Sequence, residues 1–100
     1  MRVRRSRATL ADRAVERGAL AAAVFAARED LGLRQEELAE LAGCSVGFLR
    51  QLEQGSRSQG LSKVLDVLEV LGLGLRVSVG GAGDVTLDPA VESRFESRIS

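Results

Sequence analysis

The chain has 100 residues, 45% of them hydrophobic, which suits one small domain with flexible ends and a core small enough to invite a helper device such as dimerisation. No run approaches the roughly 20 apolar residues of a membrane span. The basic start lacks the apolar stretch and cleavage site of a signal peptide; the single cysteine excludes an intrachain disulfide and the lack of histidine argues against zinc, so a cytoplasmic protein with no metal or other cofactor is expected. Fourteen basic residues balance fourteen acidic ones, but unevenly. Residues 1–28 hold seven Arg against Asp12 and Glu16, a balance of +5, and residues 29–100 a balance of −5. A net charge of zero counts against a nucleic-acid partner, yet what decides is which charges face a phosphate backbone.

Residues 1–18 read as a basic arm running into a short helix. The first eight are either a disordered start or an arm that touches phosphates or the minor groove; Leu10 to Arg17 forms a helical turn or two, interrupted by Gly18. Ala19 to Leu31 predicts a firmer helix. Leu20, Val24, Ala27 and Leu31 recur at helical spacing among helix-favouring alanines, and Gly32 ends it. The next helix spans residues 35–42, where Leu38, Leu41 and Ala42 share one face. Gly43 supplies the left-handed backbone that a helix end often needs, and Cys44 is a small buried apolar residue of the turn. Ser45 offers an N-cap oxygen to a second helix near 45–54. Leu49 and Leu52 are the large aliphatics of its packed face, and Phe48 is partly buried. Val46, Gly47, Arg50 and Gln51 point elsewhere. Two short helices joined by a tight turn, the second with a free outward face, make the pattern of a helix-turn-helix, whose second helix enters the DNA major groove.

A polar loop follows at 55–60, GSRSQG. Leu61, Val64, Leu65, Leu68 and Leu71 form the apolar stripe of a clear helix closed by Gly72. The period then changes from helical to alternating. Leu73, Leu75, Val77 and Val79 alternate with Gly74, Arg76, Ser78 and Gly80, as in a strand with one apolar face. A lone strand must find a partner for its backbone groups. Either Val85-Thr86-Leu87 folds back across a wide turn at 80–83, or the same strand of a second subunit pairs with it. Residues 80–100 read as a flexible tail, polar and mildly acidic at its end.

The stretch from Leu20 to Gly72 resembles the five-helix lambda-repressor-like fold of the Xre family of bacterial regulators. The residues that carry the resemblance are Gln35-Glu36-Glu37-Leu38-Ala39, then Ala42-Gly43-Cys44-Ser45, then Glu53-Gln54-Gly55. Leu61 to Val79 is similar to the last helix and strand of HipB-like antitoxins. In those the strand pairs with its copy in a homodimer, and the protein represses its own operon and restrains a HipA-like serine/threonine kinase toxin.

Gln35 opens the first motif helix, where its amide and the free N–H groups of the helix end suit a phosphate oxygen, as the resemblance implies; the bland alternative is a solvated amide. Most relatives place Thr or Ser before this Gln. Arg34 stands there instead, so the usual N-cap is missing and Arg34 itself is a phosphate candidate. Ser45, Val46, Gly47, Arg50 and Gln51 are the candidates for base or backbone contact. Gln51 can read adenine, Arg50 can pair with guanine or bind phosphate, and Val46 can pack on a thymine methyl. Relatives often carry polar residues where this chain has Val46 and Gly47, which shifts some specificity to DNA shape. The resemblance also implies an ion pair between Arg28 and Glu53, locking the first helix to the recognition helix, with the Arg28 guanidinium near a phosphate. Arg57, beyond the recognition helix, suits a second phosphate contact.

No nucleophile–base pair, phosphate loop or metal-ligand cluster is visible, so an enzyme is not expected. The sequence therefore reads as a mainly α, helix-turn-helix domain over residues 19–72, with a dimerisation strand at 73–79. Two recognition helices would enter successive major grooves of a palindromic double-stranded operator about 34 Å apart. The expected role is a repressor that serves as the antitoxin of a type II toxin–antitoxin pair. A stand-alone Xre regulator and a protein-interaction module that has lost DNA binding are the alternatives.

Overall fold

The computed structural model describes residues 10–56, 60–76 and 85–99. Within them lie six helices: α1 (Leu10–Arg17), α2 (Ala19–Asp30), α3 (Gln35–Ala42), α4 (Val46–Glu53), α5 (Leu61–Leu71) and α6 (Pro89–Ile99). None of these is long and apolar enough to cross a membrane.

α2 is the hub. Its alanines let neighbours approach on several sides, and Ala21, Ala22, Ala23, Val24, Ala26, Ala27 and Arg28 are all buried. α1, α4, α5 and α6 pack against it, while α3 packs on α4 and α5. Leu10, Leu38, Leu49, Leu52, Leu68 and Phe95 fill the space between them. At the end of α3, Gly43 turns left-handed at φ 72°, and the Cys44 N–H reaches back to the Ala39 carbonyl at 3.0 Å. That bond closes the helix and reverses the chain within one residue.

Several expectations are corrected. The stretch from Leu20 to Gly72 holds four helices rather than five; α1 and α6 complete the packing around it. Leu41 is 62% exposed, and Ala39 takes its place in the core beside Leu38 and Ala42. Leu61 and Leu65 likewise face outward, and Val67 joins Val64, Leu68 and Leu71. Leu31, the last residue of the expected α2 stripe, is half exposed.

The expected strand at 73–79 does not form over its described part, residues 73–76. The physical reason is the end of α5. Gly72 is left-handed, at φ 74°, and the Leu73 N–H bonds the Leu68 carbonyl at 2.8 Å. This folds Leu73 back onto the core, where it packs, while Leu75 stays exposed. Val77 and Val79 lie outside the described residues. Residues 85–88 show no strand either, so the hairpin alternative has no ladder among the described residues.

The expected flexible tail contains α6. Asp88 opens it as a cap, its Oδ1 accepting the Ala90 N–H at 2.8 Å, and Pro89 fits the first helical position. Phe95 then drives into the core at 1% exposure, with Leu87 and Val91 packed against it.

Candidate nucleic-acid interface

α3 begins at an N-cap that has no oxygen of its own. Arg34 is extended (φ −82°, ψ 163°) and cannot accept a helix N–H through its side chain. Glu37 compensates in the reverse direction, its Oε1 accepting the Arg34 backbone N–H at 2.8 Å. That donor, with the Arg34 charge beside it at 3.6 Å, holds the Glu37 carboxyl below its usual range against a small desolvation cost.

Gln35, the first residue of α3, turns its amide inward: Nε2 donates to Glu53 Oε1 at 3.2 Å. Glu53 ends α4 and is the centre of a buried network. Arg28 of α2 donates to it twice, from Nε at 2.6 Å and from Nη2 at 2.9 Å, and spends Nη1 on the Leu33 carbonyl at 2.9 Å. Arg28 and Glu53 are each 8% exposed. Burial works to lower the Arg28 pKa, but the Glu53 hydrogen bond and the charges of Glu53, Glu29 and Glu36 outweigh it, and the guanidinium is held more firmly protonated than usual. One carboxylate thus ties α2, α3 and α4 together. It uses most of what Arg28 has to offer, which leaves that side chain a structural tie with little left for a phosphate.

Ser45 is extended and its Oγ accepts the Phe48 N–H at 3.0 Å, capping α4. Leu49 and Leu52 are the buried anchors of that helix, at 0% and 1% exposure. Ser45, Gly47, Arg50 and Gln51 are exposed. Val46 departs from expectation: with Phe48 it is half-buried and packed against the core, so it is not free to swing outward. A Cβ placed on Gly47 would meet only Ser45 Oγ, at 3.9 Å, so the fold does not require glycine there. Arg50 has no carboxylate partner among the described residues. Arg57 lies outside the described residues.

One contributor carries no mark in the sequence. Lys63 of α5 donates from Nζ to the Gly43 carbonyl at 2.8 Å, a cation on the C-terminal end of α3 that steadies the turn. Only the packing of α5 on α3 reveals it. Cys44 beside it is half-buried; burial, reinforced by Asp66 and only partly offset by Lys63, pushes its thiol pKa up, so it stays a neutral packing group. Among the described residues no group of carboxylates and thiols is arranged to hold a metal ion.

The family model described as Helix-turn-helix matches residues 24–77, which cover α3, the turn and α4. Among curated proteins, the chain is similar to the uncharacterized HTH-type transcriptional regulator y4mF of Sinorhizobium fredii, 37% identical over 62 residues, or 62% of this chain and 82% of that protein. Among solved structures it is similar to the clp gene regulator ClgR from Corynebacterium glutamicum, with a TM-score of 0.51 and 37% identity. That likeness covers 57% of this chain, and the chain spans 61% of the ClgR chain.

Proposed function

The chain belongs to the helix-turn-helix family, and from that membership we propose that it is a sequence-specific DNA-binding transcriptional regulator that represses a promoter by occupying it. The observation that carries this reading is the stance of α4. Leu49 and Leu52 root it, the Arg28–Glu53–Gln35 network fixes its far end, and Ser45, Gly47, Arg50 and Gln51 stand exposed along it. Such a helix suits the major groove, with Arg50 and Gln51 as the base-reading or phosphate-binding groups. Gly47, which the fold does not need, lets the helix backbone approach the bases closely. Arg34 and the α3 N-terminus suit phosphates, as does Arg57 by its place after the recognition helix. Val46 contributes by fixing the start of α4 rather than by reading a base.

The test is fluorescence anisotropy of the full chain on the duplex upstream of its own gene, across a salt series. Binding should weaken steeply as salt rises, because phosphate contacts release counterions. Gln51→Ala should cost about 1–3 kcal/mol at one base position and relax specificity there. An equal loss on every sequence would reassign Gln51 to positioning, and no binding to any duplex would remove the reading.

A second reading refines the first: a homodimer that serves as an antitoxin to a HipA-like kinase. It is supported by the similarity of Leu61–Val79 to HipB-like proteins and by the exposed Leu75. Stable co-purification with the product of a neighbouring kinase-like gene, together with a dimeric mass in solution, tests it. A monomer with no such partner leaves a stand-alone regulator.

A further inference from the structure

We propose that α1 is a second phosphate-binding element, in which Arg13, held against the Phe25 ring, and Arg17, one turn further along, grip the backbone of duplex DNA beside the groove that α4 enters. The inference rests on the DNA-binding reading above and assigns it residues outside the 24–77 segment that defines the family.

The first observation is one of charge. The buried guanidinium of Arg28 is neutralised by Glu53, and Glu29 lies 3.7 Å from its Nη1. Arg34 lies 3.6 Å from Glu37, and Lys63 is turned to the Gly43 carbonyl and Asp66. From α2 to α5 this leaves Arg50 as the described cation without a carboxylate partner, so further cations that attract a phosphate come from outside that segment. Among the described residues Arg13 and Arg17 have no carboxylate partner.

The second is geometry. The Arg13 guanidinium sits 3.5 Å from the centre of the Phe25 ring, and Arg28 lies 5.4 Å from the same ring. Phe25 therefore links Arg13 directly to the network that holds Gln35 and the end of α4. Stacking on an aromatic face also removes much of the freedom that a long side chain would otherwise lose on binding. Two cations against one ring repel each other. Glu53 offsets Arg28, and a phosphate beside Arg13 would complete the balance.

The third is the position of α1 at the end of the recognition helix. Gly55, two residues past α4, approaches the backbone of Arg17 so closely that a Cβ there would collide with the Arg17 carbonyl. Arg13 and Arg17 are four residues apart and share a helix face. That face spans from the Phe25–Arg28 contact to the segment that follows α4.

The experiment measures binding of the full chain to a fluorescent duplex from its own upstream region and to an unrelated duplex of equal length, over a salt series, for Arg13→Gln, Arg13→Lys and Arg17→Gln. Thermal unfolding is measured on each. Arg13→Gln should weaken binding equally on both duplexes and lower the slope of log affinity against log salt by about 0.9, the value for one phosphate. Arg17→Gln, which touches no ring, should do the same, and the double variant about twice as much. Arg13→Lys should keep the slope. A lower Tm for Arg13→Gln with an unchanged slope, and no change for Arg17→Gln, would overturn the proposal by making the stack a packing contact only. Should the unaltered chain bind neither duplex, the DNA-binding reading itself fails and takes this assignment with it.

Discussion

From Leu38 to Glu53 the chain is fixed mostly by groups close in sequence, whereas α6 is fixed by one ring that crosses to α1 and α2. In the first region Gly43 turns left-handed, Ser45 caps the next helix within three residues, and two leucines anchor it. In the second, Asp88 and Pro89 start a polar helix whose hold on the molecule is Phe95, with Leu87 and Val91 beside it. The helix-turn-helix therefore has many small restraints and the C-terminal helix one large one. A region with many restraints keeps its geometry when one is lost; a region with a single anchor does not.

That difference sets the order of expected effects. Phe95→Ala should cost the most, about 3–5 kcal/mol, as for a buried aromatic replaced in a close-packed core. Against the total stability of a small domain this is a large share. Urea unfolding gives the loss directly. A cost below about 1 kcal/mol would mean that α6 merely rests on the surface, and the contrast between the two regions would go with it.

Glu53→Ala comes next and probes the buried long-range restraint of the helix-turn-helix. It strands the Arg28 guanidinium, 8% exposed, without its carboxylate and leaves the Gln35 amide without its acceptor. Breaking a buried pair this way costs about 3–5 kcal/mol, and the low end applies where some exposure remains. Replacing both partners, Arg28→Met with Glu53→Leu, should recover most of it. If the double variant is no more stable than Glu53→Ala, the ionic network is held by more than its own charges.

Gly43→Ala tests a local restraint. Nothing lies within 4 Å of a Cβ at this position, so the whole cost is left-handed backbone, about 1–2 kcal/mol. Far-UV circular dichroism should show α3 and α4 intact below the transition, with a lower Tm. Loss of helix at low temperature would show that the turn depends on this one residue, contrary to the picture of shared restraints.

The same contrast explains what the sequence reveals. Gly43, Ser45, Leu49 and Leu52 are legible because their partners sit a few residues away. The Arg28–Glu53 contact spans 25 residues, and in the sequence only the family resemblance points to it. The buried faces of α3 and α5 are rotated from those that the sequence spacing predicts. In an eight-residue helix, Leu41 and Ala39 are a fraction of a turn apart, and only the approach of α5 on α3 decides that the small residue faces inward. Leu73 mimics the first residue of a strand because alternation continues into it, yet the bond to Leu68 had already bent the chain back. α6 left two marks, Asp88-Pro89 and the four-residue spacing of Val91 and Phe95, both easily lost in a polar tail.

The smallest expected effect concerns Glu37, the substitute cap of α3. Its carboxyl is held below the usual glutamate range, first by the Arg34 N–H and then by the Arg34 charge, so the folded state binds this proton less readily than the unfolded chain does. Its contribution is therefore fully present above the ordinary glutamate pKa and is lost as pH falls through the lowered folded value. An NMR titration of the Glu37 side chain should give a midpoint lower than that of a glutamate in a peptide, and Glu37→Gln should lower the Tm slightly at neutral pH while leaving it little changed in acid, which flattens the acid limb of the Tm profile. A midpoint at or above the peptide value would mean that the Arg34 N–H is satisfied by water instead. α3 would then begin without a cap, and the short-range restraints would be left to the turn itself, at Gly43 and Ser45.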